Sequence, residues 1–434
     1  MISNRNTMNS PVKVMAIIAL IAFPSTVLAT DVISGLVFFL VLLSGIYTLI
    51  ARSDLIGPLT AQEKIFFVSV SVLFLSAVLT SLFRQVELSR ADRFINLLMA
   101  IPVFMLFKAV RVSEKYIWTG LVAGTLIAAS VGLFQVYGGS LQPRATGEVH
   151  PIIFGDLALM MGVMSLAGFD WFKRQHQALV LIPLLSLVAG LAASVLSLSR
   201  GGWVALPLVT FVFIAYLMRY LSWKKLVLVF LLVMLAISSI YLVPQTGVQQ
   251  RVKVTVDNIN GYMSSQSISD SVRSTSIGAR FEMWQAAIDI FQQHPLLGSG
   301  WGEYNQKARE LVERGLYNES IADFSHPHNQ FLSALAKGGL LALLAMLLLF
   351  LLPAAIFLRC LQHAGEPERE RAALAGMLLL VGFIGFSLSE AILERSRSVI
   401  FFSFYLAIFM ALVLREKQSS ETLLTENSSS VDAV

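Results

Sequence analysis

Runs of about twenty apolar residues recur from one end of this chain to the other, and they decide what it can fold into. A helix needs that length to cross the hydrocarbon core of a bilayer, where only helices and closed barrels satisfy their own backbone polar groups. Twelve runs are read, at about 12–30, 32–51, 65–83, 94–107, 116–137, 152–169, 178–198, 202–218, 226–243, 330–358, 372–391 and 398–414, the fourth being short. Of the 434 residues 56% are hydrophobic and only 14% charged, which no average soluble domain approaches. The expected fold class is therefore an all-α integral membrane protein with about twelve transmembrane helices. Val12–Ala29 has the length of a signal sequence's apolar core, and Val27-Leu28-Ala29 loosely resembles a cleavage site. Because apolar runs continue downstream, this segment is read as a retained first span. The single cysteine, Cys360, excludes an intrachain disulfide and CxxC chemistry.

Four regions follow: spans 1–9 over 1–243, a polar segment over 244–329, spans 10–12 over 330–414, and a serine-rich tail over 415–434 read as disordered. Lysine and arginine set the orientation. Connections on one face carry 17 cations, eight of them lysine, whereas the short connections on the other carry seven arginines and no lysine. The first face is cytoplasmic, both termini lie inside, and Pro244–Asn329 lies outside. Arg84, Arg90, Arg93, Arg144, Arg200, Arg395 and Arg397 thus sit where positive charge is discouraged. A guanidinium fork matches phosphate or carboxylate in a way an ammonium does not, so this set points to an anionic ligand. The plainer reading is pairing with Glu87, Asp92, Glu148, Glu390 and Glu394, or with lipid head groups.

The outer loop carries a helical pattern of its own. Phe281, Trp284, Ile288 and Phe291 recur at three- and four-residue steps over 279–293, stopped by Pro295 and Gly298. A second short helix is expected over 303–313, stopped by Gly315, and the serine-rich 257–276 is expected to be mobile. The loop reads as a small helical cap hinged over the membrane.

Candidate residues concentrate where this loop re-enters the apolar chain, at Asp323-Phe324-Ser325-His326-Pro327-His328-Asn329. Two histidines could be metal ligands with Asp323, but a tetrahedral zinc site needs three or four ligands at recognisable spacing, and the other histidines do not cluster with them. A histidine at a membrane boundary can also be a catalytic base, since its pKa lies near working pH; the bland alternative is a surface residue capping the next helix. Arg200 lies between two spans in Ser199-Arg200-Gly201-Gly202, as either a ligand contact or a snorkelling charge in a tight hairpin. Arg280 opens the loop helix one turn before Trp284; Arg144 and His150 lie in another outer turn; Glu390 and Glu394 beside Arg395 and Arg397 look like a salt-bridge network.

These residues carry a resemblance. The Ser-Arg-Gly turn at 199–201, Arg280-x-x-x-Trp284, Pro295-Leu-Leu-Gly-x-Gly300, and His328-Asn329 followed after nine residues by Gly339-Leu340-Leu341-Ala342 resemble the motifs of the bacterial O-antigen ligase and polymerase superfamily. Its last motif ends in Gly-x-x-Gly; here alanine replaces the final glycine but stays small enough for close helix packing. The resemblance, strongest toward the ligases, covers most of the chain, including twelve spans and a large periplasmic loop between spans 9 and 10. It implies an inverting, metal-independent glycosyltransferase of the Gram-negative inner membrane, with its site facing the periplasm and no cofactor. The donor would be O-antigen polysaccharide on undecaprenyl diphosphate and the acceptor a sugar hydroxyl of lipid A–core oligosaccharide, with membrane lipids and the polymerase machinery as further partners and no nucleic acid. His328 matches the family's catalytic base and Arg200 and Arg280 its functional arginines. Arg144, Asn329, His326, Trp284 and Arg84 are assigned to substrate binding. Rival readings are an O-antigen polymerase, a protein O-oligosaccharyltransferase, and a transporter or lipid-carrier flippase; the last expects ionisable residues in mid-span.

Overall fold

A computed structural model describes residues 11–52, 56–139, 141–199, 201–225, 275–363 and 365–415, with isolated positions between 227 and 273. Arg200, the ninth expected span and the C-terminal tail lie outside the described residues, as does most of 257–276. Fifteen helices are described: α1 (Pro11–Thr26), α2 (Asp31–Ala51), α3 (Ala61–Arg84), α4 (Ile95–Leu98), α5 (Ala100–Ala109), α6 (Lys115–Tyr137), α7 (Pro151–Ser165), α8 (Phe169–Gln175), α9 (Leu181–Leu196), α10 (Ala205–Leu217), α11 (Gly278–Gln293), α12 (Tyr304–Glu313), α13 (Gln330–Gln362), α14 (Pro367–Ser387) and α15 (Ser396–Val413). No strand occurs among the described residues.

The chain is an all-α, multi-pass membrane protein. Eight described helical segments are long and apolar enough to cross a bilayer, and α1 and the segment ending in α10 are shorter apolar helices. The short fourth run departs from a simple span. It is broken at Met99 into α4 and α5, so that Pro102 falls in the first turn of the restarted helix, where its missing N–H costs nothing. Position in the bundle follows composition: α7 and α15 are buried over 83% of their apolar windows and form its centre, whereas α9, at 28%, presents most of its surface outward. α1 and α6 cross with little room, since a Cβ at Gly120 or Gly124 would collide with the carbonyl oxygens of Leu20 and Pro24.

The largest departure from the expected pattern lies in α13. The sequence suggests a span starting near Phe331, but Gly339 has φ 64° and ψ −158°, which interrupts the helix. The stretch 340–362 alone reaches about 34 Å, enough to cross a bilayer. The preceding part, Gln330–Gly338, belongs to the cap: Ala336 is buried with Met283, Ala286, Ile290, Tyr304 and Leu311, and Leu332 packs on the same cluster.

A broken helix exposes backbone groups that must find partners. The Pro295–Gly300 motif supplies them. Leu340 N donates to Pro295 O at 2.8 Å and Leu341 N to Leu296 O at 3.2 Å; in return Ser299 N donates to Ala336 O at 2.8 Å and Gly300 N to Lys337 O at 2.9 Å. The approach is possible only without side chains. A Cβ at Gly339 would lie 2.5 Å from Leu296 O, and one at Gly298 would lie 2.3 Å from the Lys337 carbonyl carbon. Two separate sequence motifs are therefore one structural joint, which fastens the cap instead of hinging it.

Candidate functional site

Asn329 begins α13. Its Oδ1 accepts from the backbone N–H groups of Phe331 (3.0 Å) and Leu332 (3.1 Å), and its Nδ2 donates to Leu388 O (3.3 Å). The helix cap is thus the asparagine and not either histidine, and this polar side chain is spent on shaping the turn. The turn tightens further because His328 adopts φ 49°, in the left-handed region that residues other than glycine enter uncommonly. From α11, Trp284 Nε1 donates to Pro327 O at 3.0 Å, which pins the His-Pro-His segment to the cap. Arg280 stands one turn before Trp284 on that helix.

Both histidines turn toward Glu390, in the connection between α14 and α15. His328 Nδ1 lies 2.7 Å from Glu390 Oε2, and His326 Nε2 lies 3.3 Å from Glu390 Oε1. Arg395 Nη2 reaches the same Oε1 at 3.4 Å. His326 Nδ1 accepts from His328 N at 3.3 Å, so the proton of the neutral His326 ring is on Nε2 and points at Glu390. Burial alone would push the Glu390 carboxyl up. The hydrogen bond from His328 and the charges of His326, His328 and Arg395 overcome this and hold it at about 2. At 2.7 Å from the ionised carboxylate, His328 Nδ1 donates its proton to Glu390, and Nε2 is the ring nitrogen not engaged by it. His326 is pulled down to about 4, chiefly by burial, against the pull of Glu390. Its side chain is 8% exposed and that of His328 16%, so His328 is the more accessible ring.

His326, His328 and Glu390 present ligand-type atoms all within 4.8 Å of one another, the donor count of a metal site that sequence spacing did not suggest. The arrangement already contains a cation at that place, because Arg395 Nη2 is 3.3 Å from His326 Nε2.

The turn holding Arg144 and His150 joins this group. Arg144 Nε donates to Ser197 O at 3.0 Å. His150 lies at an exposed edge, where partial desolvation and the neighbouring Arg395 lower its pKa; Glu390, Arg144 and His328 also act on it. Beneath the site Asp156, fully buried in α7, has no hydrogen-bond partner on either oxygen among the described residues, and its Oδ1 would be 2.3 Å from a Cβ at Gly202. Nothing in the sequence singled it out except a lone acid in an apolar run.

Four residues after Glu390, a second acid organises a second network. Glu394 accepts from Lys337 Nζ at 2.7 Å, from Arg93 Nη1 at 3.1 Å and from Ser333 Oγ. Lys337 is 1% exposed. The sequence reading missed it, although a lysine inside an apolar run was a usable signal.

The arginines without lysine therefore divide. Arg90 pairs with Glu87, Arg93 with Glu394 and Arg395 with Glu390, carboxylates that the plainer reading named, and Arg397 pairs with Asp31, which it did not. Arg144 meets a carbonyl, and Arg84 is not brought to the histidines; it ends α3 near His294.

Comparison with known proteins bears on the same region. A family described as O-Antigen ligase matches residues 185–347, from α9 into the span part of α13. An uncharacterized protein of Haemophilus influenzae is 23% identical over 344 residues, 79% of this chain and 84% of its own length. An O-antigen ligase of Escherichia coli is 24% identical over 267 residues, 60% of this chain and 58% of its own.

Proposed function

The chain belongs to the O-antigen ligase and polymerase superfamily, and from that premise we propose that it is an O-antigen ligase. It transfers O-antigen polysaccharide from undecaprenyl diphosphate to a sugar hydroxyl of lipid A–core oligosaccharide at the periplasmic face of the inner membrane. The observation that carries this reading is the 2.7 Å contact between His328 Nδ1 and the ionised Glu390, which leaves His328 Nε2 to accept a proton. In the transfer, the acceptor hydroxyl gives its proton to that nitrogen as its oxygen attacks the anomeric carbon. The bond from that carbon to the diphosphate oxygen breaks on the opposite side, inverting the centre. Charge then accumulates on the departing diphosphate, and preformed cations stabilise it. Arg280 and Arg144 are assigned to this task on the cap and bundle sides, with Arg200 as a third whose place is outside the described residues. Asn329 and Trp284 hold the base in position, and His326 keeps Glu390 aligned.

Replacement of His328 by alanine in a deletion strain tests the reading. The expected result is lipopolysaccharide without its O-antigen ladder and full-length polymer retained on the lipid carrier, with the rate falling by roughly 10²–10⁴. A normal ladder overturns the assignment of the base. Failure of the polymer to grow, with core carrying a single repeat, identifies a polymerase instead.

A further inference from the structure

The proposed transfer uses only part of what His326, His328 and Glu390 offer. Three donor atoms, one from each residue, lie within 4.8 Å of one another. The imidazole nitrogens that face the carboxylate are His326 Nε2, at 3.3 Å from Oε1, and His328 Nδ1, at 2.7 Å from Oε2. Two imidazoles and a carboxylate are the donor set of a three-ligand zinc centre, whose fourth position is left to water. Ligand atoms about 2 Å from a tetrahedral ion stand about 3.3 Å apart, so shifts of about 1 Å bring all three onto one ion.

The set is held together by its surroundings. His328 and Glu390 are 62 residues apart, yet their segments are tied on both sides of the carboxylate. Asn329 Nδ2 donates to Leu388 O at 3.3 Å, and Leu393 N donates to Gln330 Oε1 at 2.8 Å. Trp284 holds Pro327 between the two rings. Arg395 competes for the place an ion would take, but it is loosely held. Its Nη2 makes two long contacts, 3.3 Å to His326 Nε2 and 3.4 Å to Glu390 Oε1. Its Nε has no hydrogen-bond partner among the described residues, and its side chain is 36% exposed, so it can swing outward when a dication repels it.

Coordination would rearrange the ring protons. An ion bound at His328 Nδ1 takes that lone pair, and the proton of the neutral ring moves to Nε2, which becomes a donor. His326, bound through Nε2, carries its proton on Nδ1 and gives up the 3.3 Å bond it accepts from His328 N. Neither ring releases a proton, and no oxidation state changes.

We propose that His326, His328 and Glu390 bind Zn²⁺ in place of Arg395, and that the bound ion withdraws His328 Nε2 as proton acceptor and so inhibits transfer. The inhibition rests on the ligase reading and the binding does not, so the test follows both. Full-length protein in nanodiscs is titrated with Zn²⁺ and, for its visible absorption, with Co²⁺, while Mg²⁺ serves as the oxygen-preferring control and transfer is measured in parallel. The wild type is expected to bind one zinc ion. His326→Gln should bind it at least about tenfold more weakly, and Arg395→Gln roughly tenfold more tightly, because the competing cation is gone. These opposite signs keep the test decisive if one variant folds poorly. Transfer should fall in step with zinc occupancy, through kcat with acceptor KM unchanged, and return on chelation, whereas Mg²⁺ leaves it intact. Zinc binding that is absent, insensitive to His326→Gln or weakened by Arg395→Gln overturns the proposal. One zinc bound with transfer unchanged overturns the inhibition and removes His328 Nε2 as the proton acceptor, while the metal site stands. Absence of transfer by the metal-free wild type sinks the ligase reading, and the binding arm still decides the site.

Discussion

Glu390 and Glu394 are one helical turn apart in sequence, both are buried, and both accept from three side chains, yet the networks around them are built for different ends. Glu394 faces Lys337, Ser333 and Arg93, two of which lie on α13, so it holds the cap part of that helix against the bundle. Glu390 faces His326, His328 and Arg395, two imidazoles and a guanidinium. Where every partner is a fixed cation or hydroxyl the carboxylate acts as a lock. Where two of the partners are imidazoles the carboxylate holds both rings in place. The lesson is that the surroundings, more than the acid itself, assign the role.

Lys337→Met should separate the two networks most strongly. Leaving Glu394 buried without its main counter-charge should cost about 3–5 kcal/mol, read as a lowered Tm in detergent. Adding Glu394→Gln, which keeps partners for Ser333 and Arg93 but removes the charge, should recover a large part of the loss. If Lys337→Met lowers activity alone, the lock is misassigned. The second effect concerns pH. The folded-state pKa of His326 is about 4, below its ordinary 6.5, so between those values the unfolded chain binds more protons. Stability from this group is complete above pH 6.5 and is lost as pH falls toward 4, by roughly 3 kcal/mol. His326→Asn should flatten the Tm profile in that window; an unchanged slope would show that another group titrates there.

Next in size is Glu390→Gln. It preserves shape but removes the charge that fixes the His328 tautomer, so kcat should drop roughly 10- to 100-fold with Tm little changed. A large loss of stability with residual activity at wild-type level would erase the distinction between the two acids. The smallest change is Trp284→Phe, which deletes one hydrogen bond to Pro327 O and should cost about 1 kcal/mol, seen as a few-fold lower kcat with unchanged cap helicity by circular dichroism.

Much of this was legible beforehand. Hydrophobic runs announced the helices because span length is imposed by the bilayer, and the three- and four-residue spacing of Phe281, Trp284, Ile288 and Phe291 announced α11, found at Gly278–Gln293. His328 is preferred to His326 through the resemblance, on the spacing of His328-Asn329 to Gly339; that Asn329 caps the next helix is visible only in the structure. What could not be read was who meets whom. Glu390 lies 62 residues from His328, and no local pattern pairs them. The same holds for Gly298 and Gly339, whose meeting depends on a backbone joint invisible to periodicity. The break in α13 escaped for a related reason: a glycine in an apolar run is tolerated within a helix, and only its φ of 64° reveals the interruption.

That joint also orders events during synthesis. The Pro295–Gly300 segment emerges before the helix whose broken end it completes, and the two carboxylates needed by His328 and Lys337 emerge some fifty residues or more after those residues. Until the connection after α14 has been made, a nascent chain holds an uncompensated lysine and an undirected imidazole. Chains stopped short of Glu394 should therefore be recognised as defective by membrane quality control, and the proposed activity can arise only at the last step of assembly.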